Sequence, residues 1–269
     1  MPKLDALARE FHYYYLFLKR FSIFLIFRHQ TKSKMANPFF QFKQFVVWHD
    51  KCGMKVGTDG VLLGAWASVR PAGSLLDIGT GTGLVALMLA QRSPSNVSIT
   101  ALEIDPDAAA QARENVERSP WKERIAVKEA DFRTFRDGQF DVIVSNPPYF
   151  TDSLSCPDQQ RTRARHNDSL TYEELVEGVS RLLSPAGVFS VVIPMDVADR
   201  VTELAALKGL YPVRQLLVRT KPDAAPKRTL IAFSFTPGEC EVEELLTEVA
   251  RHQYSPEYIA LTRDFYLKM

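Results

Sequence analysis

Leu75-Leu76-Asp77-Ile78-Gly79-Thr80-Gly81-Thr82-Gly83 runs from an apolar segment into a turn with glycine at every second position, and Leu84-Val85-Ala86-Leu87-Met88-Leu89-Ala90 continues it. The apolar run reads as a buried strand and the continuation as a helix. Gly79, Gly81 and Gly83 let the backbone turn tightly and let a ligand approach it closely. A lone G-x-G-x-G is weak evidence. The strand before it, the helix after it and an acid about 20 residues on strengthen it. That acid is Glu103, at the end of Val97-Ser98-Ile99-Thr100-Ala101-Leu102. A carboxylate there can accept hydrogen bonds from both hydroxyls of a ribose.

The same geometry can hold NAD, so the cofactor needs its own argument. The spacing is G-x-G-x-G rather than the dinucleotide G-x-G-x-x-G, and Asp77 stands two residues before Gly79. An acid at that place meets a cationic or amino-bearing group. S-adenosyl-L-methionine presents an ammonium and a sulfonium, whereas the pyrophosphate of NAD would be repelled. The expected cofactor is therefore S-adenosyl-L-methionine. Ile125-Ala126-Val127-Lys128-Glu129-Ala130 reads as a further strand with Asp131 at its end. Asp131 either accepts the exocyclic amine of the cofactor's adenine or caps the next turn.

Phe140-Asp141-Val142-Ile143-Val144-Ser145 is another buried strand, followed directly by Asn146-Pro147-Pro148-Tyr149. Pro147 and Pro148 stiffen the backbone and carry no N–H, which leaves carbonyl acceptors facing outward. The Asn146 side chain adds another acceptor, and the Tyr149 ring offers a stacking face. The group suits a planar NH2 on a base or an amide. Asn146 and Pro147 would accept its two hydrogens and Tyr149 would stack on it. Taken alone, the tetrapeptide could be an ordinary turn.

Strands alternate with helices along the rest of the chain, which predicts a sheet with helices on both faces. Helices are expected over 107–118 behind Pro106, over 172–183 with Thr171 as cap and Gly187 closing the turn, and over 196–208 ended by Gly209. Strands are expected over 188–193, 211–218 and 229–235, the last two antiparallel. Residues 241–252 read as an acidic helix or arm.

These elements resemble the class I S-adenosylmethionine-dependent methyltransferases. Three further segments narrow the resemblance: Lys55-Val56-Gly57-Thr58-Asp59-Gly60 onward, Arg161-Thr162-Arg163-Ala164-Arg165-His166, and Tyr258 to Met269. Together they look like the bacterial tRNA1(Val) adenine-N6 methyltransferases, over about residues 36–269. The resemblance implies an α/β Rossmann-like class I methyltransferase with a seven-stranded, mostly parallel sheet. It implies methyl transfer to N6 of an adenine in the tRNA anticodon loop, 3′ of the anticodon, in the cytoplasm. Lys55, Thr58 and Asp59 are candidates for the cofactor site, the last two closing over its methionine part or capping the helix near Gly60. Arg161, Arg163, Arg165 and His166 are candidate phosphate contacts. His166 is a less suitable base, since the proton can leave after transfer. A second basic group, Arg214, Arg219, Lys221, Lys227 and Arg228, is either a phosphate surface or a solvated loop. Glutamine methylation of a release factor is the alternative function, because a carboxamide presents the same NH2.

Composition limits the rest. With 269 residues, 46% hydrophobic and 24% charged, the chain can bury a sizeable core in one α/β domain. Cys52, Cys156 and Cys240 have no paired spacing, so neither a disulfide framework nor a metal site is expected. The first 34 residues carry seven Lys/Arg against two Asp/Glu, a surplus of +5, while the remainder carries 26 against 30, or −4. That first segment is rich in aromatics, yet two adjacent cations interrupt it short of the ~20 residues a spanning helix needs. It reads as upstream sequence preceding a natural start at Met35, or else as a membrane-surface anchor. The domain is expected over 35–269, with no membrane, metal or obligatory protein partner.

Overall fold

The computed structural model describes residues 37–52, 55–69, 73–148 and 170–268. The N-terminal segment through Met35, Tyr149 and the Arg161–His166 stretch lie outside the described residues.

The chain from Phe39 onward forms one unit. It opens with β1 (Phe39–Gln41) and β2 (Val46–Trp48), an antiparallel pair, and α1 (Thr58–Trp66). The nucleotide-binding half follows as β3 (Ser74–Ile78), α2 (Leu84–Arg92), β4 (Ser98–Glu103), α3 (Pro106–Glu117) and β5 (Ile125–Glu129). The chain then returns through β6 (Phe140–Ser145), α4 (Tyr172–Leu182), β7 (Leu183–Pro194), a 3-10 turn and α5 (Ala198–Leu207). It closes with β8 (Tyr211–Arg219), β9 (Arg228–Ser234), β10 (Glu241–Leu246), the short pair β11 (Glu248–Ala250) and β12 (Gln253–Tyr254), and α6 (Pro256–Thr262).

The main sheet has eight strands in the order β10-β8-β9-β7-β6-β3-β4-β5. Strands β7, β6, β3, β4 and β5 are mutually parallel, and β9 is antiparallel to both β7 and β8. The eighth strand corrects the expectation of seven, and of an acidic helix after Glu241. Glu241–Leu246 instead pairs in parallel with Arg214–Arg219. Its Glu and Leu residues have helical propensity, but an open sheet edge and two cross-strand ion pairs, Arg214–Glu243 and Arg219–Glu244, outweigh it. Gly187 does not close a turn either; it lies inside β7, which begins at Leu183 directly after α4.

Strand residues alternate between two cores, as the period of two requires. Leu75, Val142, Val144 and Leu230 pack with α1 and α2 on one face. Leu76, Ile143, Phe189, Val191 and Phe233 pack with α4 and α5 on the other. Helix α4 starts with a capping box, in which the Thr171 hydroxyl accepts from the Glu174 N–H and the Glu174 carboxylate accepts from the Thr171 N–H. Among the described residues no helix is long and apolar enough to cross a membrane.

Candidate active site

Strand order fixes where a ligand can sit. From β3 the chain steps outward through β4 and β5, then crosses back to β6 on the other side of β3. A crevice opens beyond the carboxyl ends of two strands where such a reversal occurs. Here those strands are β3, which leads into the glycine turn, and β6, which leads into Asn146. Ile78 pairs with Ser145 at their ends, and the Ser145 hydroxyl donates to the Ile78 carbonyl at 3.1 Å. Neighbouring strands lie about 5 Å apart, so the two motifs leave the sheet side by side.

The turn itself is strained in a way only glycine tolerates. Gly79, Gly81 and Gly83 have φ of 68°, 56° and 82°. A Cβ built on Gly79 or Gly81 would have no atom within 4 Å, whereas one on Gly83 would sit 3.5 Å from the Ala112 Cβ. The first two glycines thus border open space, and the third allows α2 to approach α3. Asn115, buried on α3, donates to the Thr82 carbonyl at 2.9 Å and exchanges hydrogen bonds with the Trp48 backbone. Sequence reasoning missed it; the available signal is an amide amid Ala108, Ala109, Ala112 and Val116, all buried.

Asp77 points to the α2 side of β3 and is 1% exposed. Its Oδ2 accepts from the Thr80 hydroxyl at 2.6 Å and from the Ala86 N–H at 3.2 Å. Gly83 at the N-cap of α2 has no side chain to cap the helix, and Asp77 supplies that acceptor from the strand. Burial pushes its carboxyl up to about 7, against the opposing pull of those two hydrogen bonds. No Lys or Arg pairs with it among the described residues. A buried carboxylate lacking a cation, beside an open glycine cradle, fits a cofactor that carries an ammonium.

Glu103 ends β4 and faces the same turn. Its Oε2 accepts from the Gly81 N–H at 2.8 Å, and its Oε1 from the N–H groups of Ile104 and Asp105 at 2.9 and 3.0 Å. A carboxylate has about four lone-pair positions, so about one remains for a ribose hydroxyl. Asp131 follows β5 and accepts from the Arg133 N–H, and it forms a bidentate pair with the Arg133 guanidinium at 2.7–3.0 Å. Those contacts hold its carboxyl below the usual range. They realise the turn-capping role.

The Asn146 side chain meets α1: a Cβ on Gly60 would lie 3.7 Å from Asn146 Nδ2 and 3.1 Å from Leu84 Cδ2. Thus the ends of β3 and β6, the start of α2 and the first turn of α1 converge. Pro147 is buried and Pro148 exposed. Thr58 and Asp59 begin α1 behind Gly57, which provides no side-chain cap, and Asp59 pairs with Arg228 Nε at 3.2 Å. Lys55 is exposed, just ahead of this turn. In the second basic group Arg214, Arg219 and Arg228 are each paired with a carboxylate, whereas the Lys221 and Lys227 side chains form no ion pair among the described residues. Among the described residues no cluster of His, Cys, Asp or Glu is arranged to hold a metal, and Cys240 is a free thiol.

The chain is similar to known proteins. The family described as Methyltransferase small domain matches residues 57–201. A tRNA1(Val) (adenine(37)-N6)-methyltransferase of Bacteroides thetaiotaomicron is 68% identical over 236 residues, covering 87% of this chain and 100% of that protein. A Bacteroides fragilis protein of the same name is 66% identical over 239 residues, covering 87% of this chain and 100% of its own. Among solved structures, a predicted O-methyltransferase from Agrobacterium tumefaciens aligns with a TM-score of 0.60 at 18% identity, over 77% of this chain and 96% of that one. That last likeness speaks for the fold.

Proposed function

We propose that this chain, which belongs to the tRNA1(Val) (adenine(37)-N6)-methyltransferase family, methylates N6 of an adenine in a tRNA anticodon loop, 3′ of the anticodon. The donor is S-adenosyl-L-methionine, whose sulfonium supplies an already activated methyl group. The observation that carries the reading is the pairing of Ile78 with Ser145, which puts the glycine cradle and Asn146 at one crevice.

Each residue then has a task. Gly79 and Gly81 leave room for the cofactor backbone, Asp77 faces its ammonium, and Glu103 takes a ribose hydroxyl with its remaining acceptor. Asp131 accepts the cofactor's adenine amine by sharing its oxygens with Arg133. Lys55, Thr58 and Asp59 close the methionine end, with Asp59 held in place by Arg228. The target amine is a poor nucleophile because its lone pair is delocalised into the ring. Asn146 Oδ1 and the Pro147 carbonyl accept its two hydrogens and draw the nitrogen toward a pyramidal geometry. Holding the sulfonium, its methyl carbon and the amine nitrogen in line lowers a barrier by ~7–11 kcal/mol, and the surplus proton leaves to solvent after transfer. Tyr149 and Pro148 complete the clamp around the base. Arg161, Arg163, Arg165 and His166 lie on the segment after the clamp and would meet phosphates. An anticodon loop is already single-stranded, which lowers the cost of extruding its base. A tRNA substrate sets the protein in the cytoplasm.

The test is incubation with labelled S-adenosyl-L-methionine and either undermodified tRNA or a release factor. Label is expected in tRNA, as N6-methyladenosine on nucleoside digestion. Label in the release factor would overturn the reading in favour of glutamine methylation.

A further inference from the structure

Two sequence segments remain without a role, the C-terminal stretch from Tyr258 and the strand entry at Lys227, and both meet the start of α1. The fold gathers them around one cavity of about 710 Å³. Its volume falls in the range of small-ligand sites. Its walls include the rings of Phe40, Tyr254, Tyr258 and Tyr266, and its cations include Lys227 and Lys268. Phe40 and Tyr266 lie with ring centroids 5.8 Å apart, edge to face, and Tyr254 and Tyr258 at 5.1 Å. Tyr258 is buried, with its hydroxyl 3.4 Å from that of Tyr266, whereas Tyr254 is 45% exposed.

Two observations say what this cavity takes. The first is location. Gly57, Thr58 and Asp59 form one wall, and Gly60, the next residue of that turn, abuts Asn146. One turn of helix therefore separates the cavity from the clamp. The second is chemistry. The Lys227 and Lys268 side chains make no ion pair among the described residues, while Arg228 is engaged by Asp59. Two cations without an ion pair among the described residues, beside aromatic rings in one lining that also holds Asp59 and Glu248, are the pairing that holds single-stranded nucleic acid. Glu248 in the lining offers an acceptor for a base amine.

We propose that this cavity is a second nucleotide subsite, holding the unstacked base that adjoins the target adenine in the RNA against Tyr254 and Tyr266, with its phosphate at Lys227 and Lys268. The proposal rests on the reading of the chain as an RNA methyltransferase. It gives the enzyme a grip on two neighbouring bases, so that extruding the target does not depend on the clamp alone.

The test uses the full chain and an anticodon stem-loop in three forms: intact, and abasic at the nucleotide on either side of the target adenine. For the intact substrate, Tyr254→Ala should raise KM about tenfold, the loss of one base–aromatic stack, with kcat and S-adenosylhomocysteine affinity unchanged. Tyr254→Phe, which keeps the ring, should restore KM. One of the two abasic substrates should show the same rise with the unaltered enzyme and no further rise with Tyr254→Ala. The double replacement Lys227→Gln and Lys268→Gln should reduce the slope of log KM against log salt by about 0.7, one single-strand phosphate's worth. Unchanged KM in Tyr254→Ala, or additive losses with both abasic substrates, overturns the subsite while leaving RNA methylation intact. Inhibition by free nucleoside monophosphates that vanishes in Tyr254→Ala, with KM for both abasic substrates equal to that for the intact one, overturns it in favour of a free-nucleotide site. An unaltered enzyme that methylates no stem-loop but accepts a release factor removes the function reading and the subsite together.

Discussion

Asp77 holds two functions in tension, and replacing it with Asn separates them. Its carboxyl is raised from 3.8 to about 7 by burial. Between those values the folded state binds a proton that the unfolded state releases, so stability falls as pH rises across the window. Below pH 4 both states are protonated and there is no penalty. Above pH 7 the penalty is complete, about 4 kcal/mol at ~1.4 kcal/mol per unit. Asp77→Asn has no titration, and its amide oxygen can still accept from the Thr80 hydroxyl and the Ala86 N–H. Its new NH2 lacks a partner, which costs about 1–3 kcal/mol at every pH. In the absence of cofactor the variant should therefore be the more stable protein at pH 8, by about 1–3 kcal/mol. Relative to the unaltered protein, it should gain about 2–3 kcal/mol between pH 5 and pH 8. Urea unfolding at several pH values measures this directly. Cofactor binding should move the opposite way. An ammonium beside the carboxylate favours its charged form, so affinity for S-adenosylhomocysteine should climb with pH toward 7 in the unaltered protein. In the variant it should be weak and flat. A stability difference between the two proteins that is constant from pH 5 to pH 8 would refute this account of Asp77.

Other substitutions probe the rest of the site. Asn146→Ala should remove most methyl transfer while calorimetric affinity for S-adenosylhomocysteine stays nearly intact; equal loss of both would make the residue structural. Gly81→Ala forces a side chain into φ of 56° and should cost about 1–2 kcal/mol of stability in thermal unfolding, with a larger loss of cofactor affinity because its Cβ enters the open cradle. Gly178→Ala places a Cβ 2.3 Å from Phe132 Cε1 on the far side of the sheet, and overpacking there should cost about 1–3 kcal/mol in urea unfolding without altering KM for either substrate.

The parts of this molecule legible in sequence are those made by neighbours in the chain. The glycine turn, Glu103 at a strand end, and the Asn146-Pro147-Pro148 clamp each announce themselves within a few residues, because backbone geometry and strand termination are local demands. Even there, the occupants of the lone pairs were not legible. That Asp77 caps α2 follows from the absence of a side chain at Gly83. That Arg133 covers Asp131 follows from a tight turn whose geometry the composition does not give. The strand at Glu241–Leu246 was hidden for a different reason: its helical propensity is real, and the vacant edge of β8 with its two cross-strand ion pairs overrides it.

The cavity beside α1 lies at the opposite extreme. Phe40, Thr58, Lys227, Tyr254 and Lys268 span nearly the whole described chain, and no spacing rule joins them. What joins them is topology. The antiparallel excursion of β8 and β9 returns Lys227 and Arg228 to the start of α1, where Arg228 meets Asp59, and β10 carries the chain along the sheet edge so that α6 and the final residues cover the same turn. The outer strands therefore do more than widen the sheet: they deliver aromatic and cationic groups to a helix turn whose opposite side abuts Asn146. On the proposed reading, that shared turn would couple the grip on a neighbouring nucleotide to the geometry of the clamp.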